Sequence, residues 1–209
     1  MVPEMTDLNP RKAPVQRRSA ATVEALHTAA IQVLVREGLA RCTTTRVAER
    51  AGASVGSLYQ YYPNRDALLS AVLEEHLTRV ADAVAGACIA ARGCPIGEMA
   101  GTLVRALLSA KLADREESRA LYSVAGERGG PMLVRAAHDR MIADVACLLK
   151  TAPDRRVRQP EVVASVLLNA LFGPITSVLK DQTPARLEAH LEAELIRVAS
   201  SYLRAAPTG

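Results

Sequence analysis

The sequence predicts an all-α protein: an N-terminal three-helix helix-turn-helix unit joined to a larger helical domain, about nine helices in all. Three observations carry this. Apolar residues recur at three- and four-residue spacing through most of the chain, with Gly, Pro, Ser, Thr or Asn where helices should start and stop. Hydrophobic residues make up 49% of the 209 but aromatic residues only 3%, with no Trp and a single Phe (Phe172). A core of Leu, Val, Ala and Ile is the composition of packed helices. Finally, two short helical segments within residues 43–62 are separated by the turn Gly52-Ala53-Ser54.

Taken in order, residues 1–16 hold Pro3, Pro10 and Pro14 and no apolar period, which predicts an unfolded arm. Arg11, Lys12, Arg17 and Arg18 make its end basic. From about Ser19 to Glu37, Val23, Leu26, Ala30, Val33 and Leu34 fall at helical spacing, and Gly38 supplies a C-cap. Thr43 can cap a short helix through Val47, Ala48 and Ala51, which Gly52 stops because glycine tolerates a left-handed backbone. Ser54 caps the next helix, roughly Val55 to Tyr62, which must end before Pro63. Asn64 caps a fourth, carrying Leu68, Leu69, Val72, Leu73, Leu77, Val80 and Val84 to about Arg92.

After the break at Gly93–Pro95, spacing predicts helices near 96–112, 115–125 and 131–150, the last opened by Pro131 after a loop at Glu127–Gly130. Residues 151–159, with Pro153 and three arginines, read as a linker. Two last helices follow, near 160–181 and 184–205, the second with Thr183 as cap and Pro184 as first helical residue. No strand and no internal repeat is expected. The domain reading is an arm (1–16), a helix-turn-helix domain (17–63) and a helical domain (64–209).

The formal net charge of +4 suits a polyanionic partner without demanding one. Cys42, Cys88, Cys94 and Cys147 lack C-x-x-C spacing, and no apolar signal segment precedes them, so they read as reduced thiols of a cytoplasmic protein. Val162–Leu179 carries no charge and reaches the lower length for a membrane span. Ser165, Asn169, Gly173, Pro174, Thr176 and Ser177 dilute it, and a helix buried on several faces is the preferred reading, with no membrane partner. His27, His76, His138 and His190 lie on separate predicted helices without a second histidine three or four residues away, so no metal is expected. No nucleophile elbow, Walker loop or dinucleotide fingerprint occurs, and no enzyme activity or cofactor is expected.

A turn such as Gly52-Ala53-Ser54 lets the second helix project from the first and enter a DNA major groove, which is about as wide as a helix. The stretch from Gly38 through Thr43-Thr-Thr-Arg-Val-Ala-Glu-Arg-Ala-Gly-Ala-Ser-Val-Gly-Ser-Leu-Tyr-Gln-Tyr-Tyr-Pro-Asn-Arg-Asp-Ala-Leu resembles the signature of TetR-family transcriptional regulators. The resemblance covers residues 19–72. It implies that Thr43 bonds a DNA phosphate at a helix start, that Thr45 and Arg46 face the groove, and that Tyr59 and Arg65 clamp phosphates. Val55, Gly56, Ser57, Gln60 and Tyr61 would lie nearest the bases, Gln60 being the best reader because its amide can pair with adenine. Leu58 and Tyr62, four apart, should pack into the helical core with Val47 and Ala48. For Tyr59 and Tyr61 the competing reading is burial or shielding.

Two departures from the family pattern stand out. Val55 occupies a position where the family often has Lys or Arg, and Tyr62 one where Phe is usual, while Arg65 for Lys keeps the charge. With no basic residue from Ala51 to Asn64, readout would rest on few hydrogen bonds and on DNA shape. The basic arm would either add minor-groove contacts or stay solvated.

Groove-reading dimers match palindromic half-sites. The apolar residues of the last two helices, Val162, Val163, Val166, Leu167, Ala170, Leu171, Leu187, Leu191, Leu195, Val198 and Tyr202, would by resemblance form a four-helix homodimer interface, the alternative being that they only finish the monomer core. The helices from residue 64 to 150 would enclose a pocket for an unidentified small molecule. Tyr122, His138 and Met141 are its candidate lining, with Met99 and Arg105 further off. The resulting expectation is a repressor released from a palindromic operator by a ligand, the alternative being an architectural or adaptor DNA-binding protein without such a switch.

Overall fold

Each short helix of the N-terminal region begins and ends at a chemically recognisable stop. The computed structural model describes residues 17–208, and the arm expected over residues 1–16 lies outside them. Helix α1 (Arg17–Glu37) ends where Gly38 turns to φ +79°. A 3-10 turn at Leu39–Arg41, which periodicity does not announce, leads to α2 (Thr44–Arg50). The Thr43 hydroxyl accepts from Arg46 N (3.3 Å), and at the other end Gly52, at φ +67°, turns the chain back. Helix α3 (Val55–Tyr61) opens with the Ser54 hydroxyl accepting from Ser57 N at 3.0 Å. The Asn64 side chain accepts from Ala67 N (2.8 Å) to open α4 (Arg65–Ala90).

The described chain falls into two compact units. The first comprises the described part of Met1–Leu77 together with Glu116–Val134. Its core joins Leu26, Ala30, Val33, Leu34, Val47, Ala48, Leu58, Tyr62, Leu68, Leu69, Val72 and Leu73 with Leu121 and Val124 of α6 (Arg115–Ala125). Each Val or Leu among them stabilises the unit by about 1.5–3 kcal/mol when fully buried. One polar pair is buried as well: His76 Nδ1 of α4 lies 3.2 Å from Glu117 Oε1 of α6. The loop from α6 to α7 (Gly130–Leu149) is sterically fixed, because a Cβ on Gly130 would sit 2.5 Å from the Ala125 carbonyl oxygen. Only glycine fits there. Helix α7 thus starts one residue before Pro131, where its missing N–H costs nothing.

The second unit, Thr78–Arg115 with the described part of Arg135–Gly209, is built around α5 (Ile96–Leu112), α8 (Pro160–Leu179) and α10 (Leu191–Ala205). Ile96, Met99, Leu103 and Leu107 of α5 are buried with Ala164, Leu167, Leu171 and Ile175 of α8 and Leu191, Leu195, Ala199 and Leu203 of α10. Helix α8 is long and apolar enough to cross a membrane, but its buried stripe serves this core. It continues through Pro174, whose missing N–H leaves the Ala170 carbonyl without its helical donor.

The C-terminal helix departs from expectation in two ways. The helix read as 184–205 is two, α9 (Ala185–Glu188) and α10, interrupted at Ala189–His190. Thr183 does not cap it: Pro184 is the N-cap, without a side-chain hydrogen bond. Residues 151–159 are a linker, but a stapled one. Asp154 accepts from Ile96 N at 2.9 Å, Arg155 donates to the Ala206 carbonyl, and Arg158 N donates to Pro207 O at 2.8 Å beside an isolated bridge between Val157 and Thr208.

A lysine lies within this second core. Lys111 of α5 is 6% exposed, and burial lowers its pKa to about 8 from an ordinary 10.5. Between those values the unfolded chain holds a proton that the folded chain has lost, so this group's contribution to stability rises with pH above about 8. We predict that, in urea unfolding between pH 7 and 9.5, wild type gains stability relative to Lys111→Met by on the order of 1–2 kcal/mol. A difference that stays flat would show that Lys111 does not titrate in this range.

Candidate nucleic-acid interface

Helix α3 has seven residues and no charged side chain, and it is held by one face only. Leu58 is fully buried and Tyr62, its C-cap, is 3% exposed, both in the core formed with Val47 and Ala48. On the opposite side Gly56, Gln60 and Tyr59 are exposed, Tyr59 at 41%. Side chains four apart that anchor a helix leave the intervening ones outward. The turn around Gly52 sets the angle at which that outward face is presented.

The Tyr62 hydroxyl, the departure from the family's usual Phe, is not idle. It lies 2.6 Å from His27 Nε2 of α1, and His27 Nδ1 lies 2.5 Å from Glu75 Oε2 of α4. A carboxylate only accepts, so Nδ1 carries the hydrogen on that side. Burial first, and then Glu75, push the Tyr62 pKa up to about 12, so the phenol stays protonated. The chain Tyr62–His27–Glu75 thereby ties the end of α3 to α1 and α4.

The remaining candidates separate by environment. Thr43, Thr45 and Gln60 are exposed and Arg46 and Arg65 half-buried, all on α2 or its N-cap, on α3 or at the start of α4. The Tyr59 hydroxyl lies 3.3 Å from Thr44 Oγ1, which orients that ring between the two helices. Ser57 is engaged by its own cap, its hydroxyl 2.8 Å from Ser54 Oγ. Val55 and Tyr61 are half-buried and pack against the core, so each presents only an edge.

Both arginines meet carboxylates. Arg46 Nη1 donates to Glu37 at the end of α1, and Glu37 also lies 4.0 Å from Arg41 Nε. Arg65 Nε is 3.2 Å from Asp66 Oδ1 and its Nη2 3.6 Å from Glu127 Oε2 in the α6–α7 loop. Cys42, buried beneath, has its thiol pKa pushed up to about 11 by burial, with Arg65 opposing and Glu37 adding to the rise. Sequence reasoning missed Glu37 and Glu127, because only the folded chain brings residues 9 and 62 positions apart together.

In the second unit, Met141 is buried at 3% exposure, and the His138 ring stands 5.8 Å from that of Phe172 with its Nε2 buried and unpartnered. Met99 is buried there too and Arg105 exposed. Tyr122, half-buried, belongs to the first unit. The apolar residues of α8 and α10 divide. Val163, Leu167, Leu171, Leu191 and Leu195 are at most 4% exposed, so they serve the chain's own core rather than a partner. Val162 (56%), Val166 (47%) and Val198 (47%) remain open with Ala170, while Tyr202 is half-buried and Leu187 of α9 is 45% exposed. Among the described residues no three His, Cys, Asp or Glu side chains gather as a metal site.

Residues 26–72 match the model of bacterial regulatory proteins of the tetR family, and residues 95–203 match that of the tetracyclin repressor-like C-terminal domain. The uncharacterized HTH-type transcriptional regulator YvdT of Bacillus subtilis (strain 168) is 29% identical over 70 residues, a match spanning 34% of this chain and 36% of that relative. A TetR-family transcriptional regulator from Mesorhizobium loti MAFF303099 has the same fold, with a TM-score of 0.70 at 21% identity over 91% of this chain and 96% of that one. The multidrug binding protein EbrR, solved with imidazole, gives 0.64 at 23% identity over 90% and 96%. The fatty acid degradation regulator FadR from Bacillus halodurans gives 0.65 at 16% over 88% and 99%.

Two substitutions check how α3 is held. Ser54→Ala should cost about 1 kcal/mol in urea unfolding and speed hydrogen exchange of the α3 amides first. Tyr62→Phe should cost about 0.5–1.5 kcal/mol by removing the phenol from His27. Wild-type stability in both variants would mean that α3 is seated by its apolar contacts alone, Leu58 and the Tyr62 ring foremost.

Proposed function

The chain belongs to the TetR family of bacterial regulators, and from that premise we propose that it is a DNA-binding transcriptional regulator, a repressor released from a palindromic operator by a small molecule. The observation that carries this reading is the one-sided seating of α3, which leaves Gly56, Tyr59 and Gln60 outward on an uncharged helix behind a glycine turn. A helix presented in this way reaches base edges, with Gln60 able to form paired hydrogen bonds to adenine. Thr43, Thr45, Arg46, Tyr59 and Arg65 fix the register on the backbone, and Val55, Ser57 and Tyr61 supply shape more than hydrogen bonds.

The protein acts in the cytoplasm as a homodimer, since two α3 helices are needed to match two half-sites. Val162, Val166, Ala170, Val198 and Tyr202 form the surface that a second copy would cover. The ligand pocket lies in the helical region after residue 64, where the buried, unpartnered His138 Nε2 and neighbouring Met141 offer one polar atom in an apolar setting. Ligand and DNA then weaken each other's binding by the same factor.

The DNA reading is tested by fluorescence anisotropy on duplexes from upstream of the protein's own gene and on scrambled duplexes, across a salt series. Tight binding to the native duplex should weaken with salt as counterions are released. Gln60→Ala should lose about 1–3 kcal/mol of discrimination, and Arg65→Ala should weaken all duplexes alike and lower the salt slope by about 1. Absence of binding to any duplex would discard the function. For assembly, sedimentation velocity should find wild type as a dimer and Val166→Glu as a folded monomer. A Val166→Glu dimer would move the interface to another surface.

A further inference from the structure

Both arginines of the proposed interface are already held by carboxylates of the same chain. Arg46 is paired with Glu37 and Arg65 with Glu127, and all four side chains remain between 33% and 44% exposed. A guanidinium carries five N–H donors in one plane, and a phosphate competes with a carboxylate for those that face it. A phosphate that approaches those donors must displace the partner carboxylate from them.

Local helix chemistry accounts for one acidic neighbour and not for Glu37. Asp66 lies in the first turn of α4, where a negative charge suits the helix dipole. Glu37 is the last residue of α1, where the dipole disfavours it, yet it is shared between Arg41 and Arg46. Glu127 sits in the loop fixed by Gly130, with its N–H donating to Val124 O at 2.9 Å and its carbonyl accepting from Gly130 N at 3.0 Å. The loop backbone therefore holds it on the Arg65 side.

We propose that Glu37 and Glu127 are affinity-setting residues of the DNA interface, internal counter-ions that Arg46 and Arg65 must exchange for phosphates on binding. This rests on the interface reading above. Phosphate contacts carry no sequence information. The two carboxylates therefore lower affinity for every duplex, and retention at any site depends more heavily on the neutral readers of α3.

The test needs no operator. Full-length protein is titrated into a random-sequence duplex at low and at physiological salt, as wild type, Glu37→Gln, Glu127→Gln, Arg46→Ala, Arg65→Ala and the pair Glu127→Gln/Arg65→Ala. Glu192→Gln, on the exposed side of α10, makes the same change in net charge elsewhere. Glu37→Gln and Glu127→Gln should each tighten binding about two- to fivefold at low salt, with the gain shrinking as salt screens the pair. Glu192→Gln should change nothing, each arginine variant should weaken binding, and the Glu127→Gln gain should vanish in the Arg65→Ala background. Unchanged or weaker binding by the glutamine variants, or an equal gain in Glu192→Gln, overturns the counter-ion role while the arginine losses leave the interface standing. Arginine variants that bind like wild type overturn the interface itself. Thermal melting of each variant confirms that it is folded.

Discussion

A helix of seven residues, about 10 Å long, has no stability of its own in water, so what holds α3 decides what the protein can present to a groove. Two side chains do most of it: Leu58, fully buried, and Tyr62 at the C-cap. Everything around them follows. Gly52 bends the chain so that Leu58 reaches Val47 and Ala48, Ser54 closes the open amides, and Pro63 ends the helix before a third anchor is needed. The His27 bridge to Tyr62 and Glu75 then fixes rotation about the helix axis, which buried apolar contacts alone leave loose because they lack direction.

Where a cap and a period agreed, the helices were legible in the sequence, except at the C-terminal end. Residues 96–112 and 115–125 are bounded as spacing predicts, because Pro95 precedes one and the charged Asp114-Arg115 step separates the two. The last helix misled because Leu187, Leu191 and Leu195 keep a four-residue period straight through the break at Ala189–His190. Periodicity reports which residues share a face and is silent on whether the backbone is continuous between them. The same limit blurred the α8 and α10 surface, where Val163 and Val166 are three apart and yet one is 4% and the other 47% exposed.

In the candidate interface, the anchors and caps could be read directly, since each depends on a local spacing. What could not be read were partners brought in by tertiary structure: Glu37 on Arg46, Glu127 on Arg65, His27 on Tyr62, and Glu117 on His76. Each joins residues from different helices or loops, and single-sequence reasoning has no term for that distance. The burial of Lys111 belongs here too, because a lysine on a helix face reads as solvated until the neighbouring helices are known.

The positions of the tyrosines also make the molecule its own reporter. It has five and no tryptophan, and three of them, Tyr59, Tyr61 and Tyr62, lie in one four-residue stretch at the end of α3. Near-ultraviolet emission and circular dichroism are therefore weighted toward this helix rather than averaged over the chain. Tyr62 stays shielded and bonded to His27, while the Tyr59 ring stands 41% exposed. Stacking or quenching at Tyr59 would consequently register optically without any attached dye, at a wavelength where no indole competes.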